Sequence, residues 1–188
     1  MRKVIAAMNM TLDGYCDHTL GKVDAEMHDH YTALLRNGSV ILYGRITYQL
    51  MEYWRDIVAH PSGERSANDF AAVMDEIPKV VFSHTLREVD WHSARLSKKE
   101  PAEELADLQK DEGGDILVGS RSLIISLLNE GLVDELQLCI HPLLAGSGLE
   151  LFDQLRRKVE LRFIGSKVFE GTGAVVMTYK VGLSGSIK

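Results

Sequence analysis

Short apolar segments alternate with helical patterns along this chain, and this alternation limits the folds that it can adopt. Five runs of four to eight residues are rich in aliphatic side chains, and most meet Gly or Pro at one end; they cover residues 3–10, 39–43, 79–82, 115–118 and 135–140. Such runs are typical of strands buried on both faces of a sheet. Strands that alternate with helices predict an α/β fold with a mixed, mostly parallel sheet covered on both faces.

Helix signals lie between these runs. Asp24 precedes a stripe of apolar residues at helical spacing and is a suitable N-cap. Ser66 and Asp69 resemble a capping box, which predicts that a helix starts there. Pro101 suits a first helical position, and a further stripe ends near Gly131.

The C-terminal part of the chain has the pattern of a hairpin. Two apolar runs, residues 161–169 and 174–181, flank the turn sequence Gly171-Thr172-Gly173. The hairpin predicts antiparallel strands at one edge of the sheet. The polar residues 60–68 predict an exposed loop. We expect residues 1–188 to form a single domain, because this length is sufficient for one core.

The overall composition excludes several classes of protein. The net charge of −6 and the lack of a Lys/Arg block argue against a nucleic-acid partner. Cys16 and Cys139 lie far apart, so we predict neither a disulfide nor a metal site and expect a reducing compartment. The N-terminus is too short and polar for a signal peptide, and no apolar run reaches the ~18 residues that span a bilayer. We expect a cytoplasmic protein without a membrane partner.

Two segments combine a strand, a glycine and the start of a helix. The first contains Gly44-Arg45-Ile46-Thr47 and the second Gly119-Ser120-Arg121-Ser122. Unpaired N–H groups and the helix dipole favour an anion at such a junction, and each segment adds an Arg and hydroxyl groups. Two such sites could bind the pyrophosphate of one dinucleotide at the carboxyl ends of the strands. Alternatively, each glycine only ends a strand.

An ordered set of motifs carries a resemblance to a known family. They are Thr11-Leu12-Asp13-Gly14, Gly44-Arg45-Ile46-Thr47-Tyr48, Ser83-His84-Thr85-Leu86, Gly119-Ser120, Gly131-Leu132-Val133-Asp134-Glu135-Leu136 and Pro142-Leu143-Leu144-Ala145-Gly146-Ser147-Gly148. The chain resembles the C-terminal reductase domain of the bifunctional riboflavin-biosynthesis deaminase/reductase and its free-standing, dihydrofolate-reductase-like relatives. The resemblance covers nearly the whole chain and implies a three-layer α/β/α fold, NADPH as the cofactor and a homodimer.

The resemblance also implies roles for particular residues. Gly44, Arg45 and Thr47 would contact the cofactor phosphates, Ala7 would border the nicotinamide, and Ser83 and His84 would lie beside the adenosine phosphate. The pyrophosphate would be bound by Gly119, Ser120, Arg121 and Ser122.

Two departures from the family pattern affect these expectations. Family members often have Arg where this chain has His84, which leaves NADH as an alternative to NADPH. Dihydrofolate reductase has a cis Gly-Gly bond where this chain has Gly119–Ser120, so a cis bond is hypothesised here.

Three residues are candidates for contact with the substrate. Asp13, in an Asp-Gly turn, could orient the substrate or only bond to nearby backbone. Asp29 falls close to the position where dihydrofolate reductases place a carboxylate that binds the substrate. Trp54 could stack on a flat ring or belong to the core.

These features lead to one principal functional hypothesis and two alternatives. A nicotinamide cofactor supplies hydride chemistry without a protein nucleophile, so we predict a reductase of a small heterocycle. The best-known substrate of the resembling family is the ribosylamino-pyrimidine of riboflavin synthesis, namely 5-amino-6-(5-phosphoribosylamino)uracil. The alternatives are a dihydrofolate-reductase-like enzyme with another substrate and a dimeric binding protein that has lost turnover.

Overall fold

The structure, a computed structural model, describes residues 1–19 and 21–182 and contains one eight-stranded sheet. The strand order is β4-β3-β2-β5-β1-β6-β8-β7. The strands are β1 (Val4–Thr11), β2 (Gly38–Gly44), β3 (Lys79–Phe82), β4 (Ala94–Leu96), β5 (Asp115–Val118), β6 (Glu135–His141), β7 (Glu160–Val168) and β8 (Val175–Gly182).

Six helices accompany the sheet in the described residues. They are α1 (Ala25–Asn37), α2 (Arg45–Met51), α3 (Tyr53–Ala59), α4 (Arg65–Glu76), α5 (Pro101–Leu108) and α6 (Arg121–Glu130). None of these helices, within residues 1–19 and 21–182, is long and apolar enough to cross a bilayer.

The direction of the strands agrees with the sequence prediction. Strands β4, β3, β2, β5, β1 and β6 pair in parallel, whereas β8 runs antiparallel to β6 and β7. The expected mixed, mostly parallel sheet with a C-terminal hairpin is therefore confirmed. Strand β4 was not predicted from the sequence, because its three residues carry too little pattern.

Successive residues of the central strands pack into cores on opposite faces of the sheet. In β5, Ile116 and Val118 contact one cluster, in which α5 and α6 contribute Leu105 and Leu127. Leu117 faces the opposite cluster, to which α1 and α4 contribute side chains such as Leu35, Phe70 and Met74. This alternation follows from the two-residue repeat of a strand and produces three layers.

Most helix ends match their sequence signals. The Asp24 carboxylate accepts a 2.9 Å hydrogen bond from the Met27 N–H at the start of α1, α5 begins at Pro101, and α6 ends before Gly131.

The predicted start of α4 is wrong. The helix begins at Arg65, so Ser66 lies inside it and is buried. The reason is a network between Ser62 and Asn68: the Ser62 N–H donates to Asn68 Oδ1 and Asn68 Nδ2 donates to the Ser62 carbonyl, each at 2.8 Å. These bonds fold the preceding turn onto the helix, and they shorten the loop expected over residues 60–68.

Candidate functional site

The two strand–glycine–helix turns lie side by side. Strands β2 and β5 are hydrogen-bonded neighbours, with Leu42 opposite Val118, and each runs directly into its turn. The Gly44 N–H donates a 2.8 Å hydrogen bond to the hydroxyl of Ser120, which is buried. The sequence did not indicate this bridge, because it depends on the strand order. The two turns therefore form one continuous feature at the carboxyl edge of the sheet.

Both turns present the amino end of a helix. Gly44 is the N-cap of α2 and Ser120 is the N-cap of α6, and neither helix has a side-chain hydrogen bond at its cap. The first backbone bond of α6 joins the Ile124 N–H to the Ser120 carbonyl at 2.9 Å. The N–H groups before Ile124 have no acceptor within the helix and, with the helix dipole, favour an anion.

Gly119 and Gly44 are glycines for different physical reasons. A Cβ on Gly119 would lie 2.8 Å from Cε1 of Tyr43, so only glycine allows this close approach between β5 and the buried ring. A Cβ on Gly44 would meet Ser122 Oγ at 3.5 Å and Ser120 Oγ at 3.7 Å. Gly44 therefore keeps open a small notch, lined by two hydroxyl groups, between the turns.

The two predicted arginines behave differently. Arg121 is held by the β6–β7 loop: its Nε donates to the Glu150 carbonyl at 2.6 Å, and its guanidinium pairs with Asp153. Arg45 is exposed, and its Nη1 donates to Gln49 Oε1 at 3.1 Å. Arg45 has no ion pair among the described residues, so it is the arginine whose charge is available to a phosphate.

A third segment reaches the same edge of the sheet. Strand β3 ends at Phe82, which is opposite Gly44, so Ser83 and His84 leave the sheet beside α2. The Ser83 hydroxyl closes its own turn, because it accepts from the N–H groups of Thr85 at 3.1 Å and Leu86 at 2.9 Å. His84 is exposed, and Thr47 lies half-buried in the first turn of α2.

An open edge of β1 adjoins the two turns. Strand β5 pairs with β1 only from Val4 to Ala6, whereas β6 pairs with β1 as far as Thr11. From Ala7 onward, β1 therefore extends past the end of β5, and no other strand in the described sheet occupies that side. This leaves backbone hydrogen-bonding groups that a planar amide or heterocycle could contact.

Asp13 fastens a remote loop to the end of β1. Its carboxylate accepts hydrogen bonds from Thr11 Oγ1 at 2.5 Å, the Gly146 N–H at 2.7 Å and the Ala145 N–H at 3.1 Å. The Thr11 hydroxyl, the Gly146 amide and then the Ala145 amide stabilise the anion and lower the pKa of Asp13 to about 2. We call this arrangement the Asp13 clamp. It fits a positioning role, because the carboxyl group is ionised at neutral pH and holds no proton to donate.

The other two substrate candidates, Asp29 and Trp54, lie on α1 and α3. Asp29 is on the exposed side of α1, whereas Met27 on the same helix is fully buried. Trp54 packs against the rings of Phe70, with 4.6 Å between centroids, and His28, at 5.6 Å. The contacts of Trp54 are those of a residue that packs against the core, which was one of its two expected roles.

Sequence reasoning missed a polar contact between α1 and the sheet. The Tyr31 hydroxyl donates a 2.5 Å hydrogen bond to Asn9 Oδ1. Burial, with a smaller effect of Cys139, raises the pKa of Tyr31 well above its usual value, so this hydroxyl is protonated at neutral pH. A polar residue inside the apolar run of residues 3–10 was the available signal for Asn9.

The hypothesis of a cis Gly119–Ser120 bond is wrong, since all peptide bonds of the described residues are trans.

The donor set at this edge fits a pyrophosphate-linked dinucleotide. The bond from the Gly44 N–H to Ser120 Oγ holds two uncapped helix starts together. Arg45 has no ion pair among the described residues, and β1 extends past the end of β5 from Ala7 onward. These features suit a ligand with two phosphates and a flat polar ring.

The chain is similar to several known proteins in sequence and in structure. The chain is 32% identical over 182 residues to the uncharacterized protein YyaP of Bacillus subtilis, covering 95% of this chain and 94% of YyaP. The crystal structure of a putative riboflavin biosynthesis protein from Shewanella sp. PV-4 is similar, with a TM-score of 0.72, 22% identity and coverage of 96% of this chain and 99% of that one.

Dihydrofolate reductase from Enterococcus faecalis, solved with NADP(H), is also similar, with a TM-score of 0.61, 12% identity and coverage of 95% and 96% of the two chains. The fold is therefore dihydrofolate-reductase-like. The family model for the RibD C-terminal domain matches residues 2–175. The chain belongs to the RibD C-terminal domain family.

Proposed function

We propose that this protein is an NADPH-dependent reductase of a small heterocyclic substrate. The observation that carries the proposal is the 2.8 Å hydrogen bond from the Gly44 N–H to Ser120 Oγ, which holds two uncapped helix starts together at the carboxyl edge of the sheet. In an open α/β sheet, this edge is where dinucleotides bind. The NADP(H) complex of the structurally similar Enterococcus faecalis reductase supports the same choice of cofactor.

The chain's own residues would bind and orient the cofactor. Backbone N–H groups of residues 45–47 and 121–123 would bind the pyrophosphate, with Arg45 adding a charge-assisted hydrogen bond. Ser83 and His84 would lie toward the adenosine end, and the edge of β1 from Ala7 would border the nicotinamide. The bound nicotinamide supplies the hydride. The Asp13 clamp would hold residues 145–146 beside that edge and limit access of water.

The proposed substrate is a pyrimidine of riboflavin synthesis. Membership of the RibD C-terminal family and the similar Shewanella protein support a reductase of the 5-amino-6-(5-phosphoribosylamino)uracil type. Neither carboxylate of α1 is buried against the sheet: Asp29 is exposed and Glu26 pairs with Lys167 at 3.2 Å. Asn9 lies on the part of β1 that extends past β5, and it accepts a hydrogen bond from Tyr31 of α1. This polar pair is neutral and would recognise an uncharged ring by hydrogen bonds.

We also propose that the protein acts in the cytoplasm. Cys16 and Cys139 are both free thiols, and a reducing compartment keeps such thiols unpaired.

The cofactor proposal is tested by titrating the full-length protein with NADPH and following nicotinamide fluorescence. Arg45→Ala should weaken NADPH affinity by about 1.5–3 kcal/mol, because it removes a hydrogen bond to a charged group. The matched control is Arg65→Ala, an exposed arginine at the start of α4, which should leave affinity unchanged. Absence of NADPH binding at millimolar concentration would refute the proposal, and NADH titrated in parallel measures the preference that His84 leaves open.

Turnover is tested separately from binding. NADPH oxidation at 340 nm should accelerate with 5-amino-6-(5-phosphoribosylamino)uracil and not with dihydrofolate. Faster oxidation with dihydrofolate alone would favour the dihydrofolate-reductase alternative. Tight NADPH binding without oxidation by either substrate would favour a binding protein.

A further inference from the structure

The part of β1 that extends past β5 faces helix α1. Ile5 belongs to the core cluster that α1 and α4 complete, and alternate residues of a strand share a face, so Ala7 and Asn9 also point toward α1. Ala7 is half-buried and Asn9 is exposed, and no strand of the described sheet pairs with β1 on the side that β5 leaves open. A ligand at this edge would therefore meet the Asn9 side chain beside α1.

Helix α1 brings the hydroxyl group of Tyr31 to the same place. The ring packs against the cluster that contains Met27, Cys139 and Phe169, and this packing fixes its position. The hydroxyl donates its 2.5 Å hydrogen bond to Asn9 Oδ1, and this bond is accessible to solvent. Tyr31 therefore combines a fixed apolar ring with a polar end that a ligand can contact.

The proposed reaction needs a proton donor, because hydride transfer alone does not complete a reduction. When a hydride adds to the carbon of a C=N or C=O bond, a C–H bond forms and the π electron pair moves to the heteroatom. That atom must then take a proton, so the donor has to be a neutral acid within reach of it. The bound nicotinamide would supply the hydride but not this proton.

Tyr31 holds a transferable proton, whereas Asp13 does not. These are the two titratable side chains that bond to residues 7–11 of β1 in the described chain. Hydrogen bonds, first that from the Thr11 hydroxyl, lower the pKa of Asp13 to about 2, so its carboxyl group is ionised at neutral pH. Burial raises the pKa of Tyr31 well above its usual value, so its phenol keeps its proton.

His30 and Cys139, which lie against Tyr31, carry no charge at neutral pH. The centroids of the His30 and Tyr31 rings are 5.2 Å apart. Burial lowers the pKa of His30 and raises that of Cys139 to about 11, so neither side chain favours the phenolate as an ion. A nitrogen or oxygen atom that has just received an electron pair is a far stronger base than a phenolate. The proton would therefore leave Tyr31 only when such an atom forms beside it.

We propose that Tyr31 is the proton donor of this reduction, acting on a substrate whose reducible bond ends in nitrogen or oxygen. The Tyr31 O–H bond breaks as the heteroatom of the substrate gains the proton, and water then returns a proton to the phenolate. Asn9 positions the hydroxyl as its acceptor, and the Asn9 amide group can turn to donate from Nδ2 to the phenolate. The inference rests on the proposed reductase function and adds the acid that completes the reaction.

Tyr31→Phe removes the proton and keeps the ring. With 5-amino-6-(5-phosphoribosylamino)uracil and saturating NADPH, kcat should fall by about 100-fold or more, which is the usual contribution of a general acid. The Kd for NADPH and the Tm should stay near the wild-type values. Tyr179→Phe is the matched control, because Tyr179 is half-buried on β8 and its hydroxyl donates to Met177 Sδ at 3.3 Å. The control should leave kcat unchanged.

Asn9→Ala distinguishes proton donation from positioning. This change removes the acceptor of the Tyr31 hydroxyl but leaves the phenol, so it should raise the KM for the substrate more than it lowers kcat. If Asn9→Ala and Tyr31→Phe lower kcat equally, Tyr31 acts only by holding Asn9, and the proposal is overturned.

An ultraviolet titration tests the acid without cofactor or turnover. The difference between wild type and Tyr31→Phe should show that Tyr31 is still a phenol at about pH 10, where ordinary tyrosines ionise. A phenolate at neutral pH would leave no proton to donate and would overturn the assignment. A wild type that oxidises NADPH no faster than Tyr31→Phe, although turnover is clear, overturns the donor alone. A wild type without any turnover overturns the reductase function and the donor together.

Discussion

The substitution Gly44→Ala should weaken cofactor binding without changing the stability of the protein. Gly44 has φ −78° and ψ 164°, an extended conformation that alanine also adopts. The added methyl group would sit 3.5 Å from Ser122 Oγ and 3.7 Å from Ser120 Oγ, ordinary contact distances that require no rearrangement. The folded protein can therefore accept the substitution without steric strain.

The expected change in stability is close to zero because two effects oppose each other. Replacing glycine restricts the unfolded chain and stabilises the protein by roughly 0.4–1 kcal/mol. Alanine is a poorer N-cap than glycine, which costs about 0.5–1 kcal/mol at the start of α2. The net effect should stay within about 0.5 kcal/mol, or roughly 2 °C in Tm for a chain of this length.

The expected change in cofactor affinity is large. The methyl group fills the notch between the two turns, where we place the pyrophosphate. Displacing a phosphate from even one hydrogen bond should cost about 1.5–3 kcal/mol, a roughly 10- to 150-fold rise in the Kd for NADPH. Differential scanning fluorimetry and the NADPH fluorescence titration measure the two quantities on the same sample.

Gly63→Ala is the matched control for this substitution. A Cβ on Gly63 would meet no atom within 4 Å, so affinity should remain near the wild-type value, and stability should be unchanged or higher by up to about 1 kcal/mol. If folded Gly44→Ala binds NADPH within twofold of wild type, the pyrophosphate does not lie between these turns and the site assignment is refuted.

Two other substitutions examine how the site is held together. Ser120→Ala removes the acceptor of the Gly44 N–H, so it should lower the free energy of unfolding by about 1–2 kcal/mol. A thermal melt should show a Tm lower by roughly 2–8 °C. An unchanged Tm would show that this hydrogen bond does not stabilise the protein. Asp13→Asn should increase hydrogen–deuterium exchange of the Ala145 and Gly146 amides at neutral pH. In the wild type, the pKa of Asp13 is lowered to about 2 from 3.8, so the clamp should contribute fully above pH 3.8 and fail as the pH falls through 2; loss of protection already at pH 5 would contradict this.

The elements that the sequence predicted well are those with a strong local signal. The first helix combines apolar spacing with the Asp24 cap, and the C-terminal hairpin has two apolar runs around a glycine turn. The start of α4 was misplaced because side-chain hydrogen bonds between Ser62 and Asn68 override the capping pattern at Ser66. The apolar spacing therefore predicts a helix, and the hydrogen bonds of the preceding turn decide where it begins.

The sequence predicted the local parts of the candidate site but not the contact that joins them. Each strand–glycine–helix turn is local and could be recognised, but the bridge from Gly44 to Ser120 joins positions 76 residues apart. Its formation depends on β2 and β5 being neighbours, which follows from the crossover connections rather than from either segment. Lys79 shows the same limit: the sequence predicts a buried strand but not the partners of its lysine, whose ammonium lies over the Trp91 ring and donates to the Ile77 carbonyl and Ser93 Oγ.

Two charged residues at the site, Asp13 and Arg121, bind the β6–β7 loop. Asp13 holds the amides of Ala145 and Gly146, and Arg121 holds Asp153, so the β6–β7 loop is attached to the end of β1 and to the start of α6. With these two charges committed to the protein, recognition of phosphate at the proposed cofactor site would fall to backbone amides, helix dipoles and Arg45. This division would allow a chain with a net charge of −6 to bind the anionic cofactor that we propose. Under the proposed function, local amide geometry, rather than overall charge, would determine what this edge of the sheet binds.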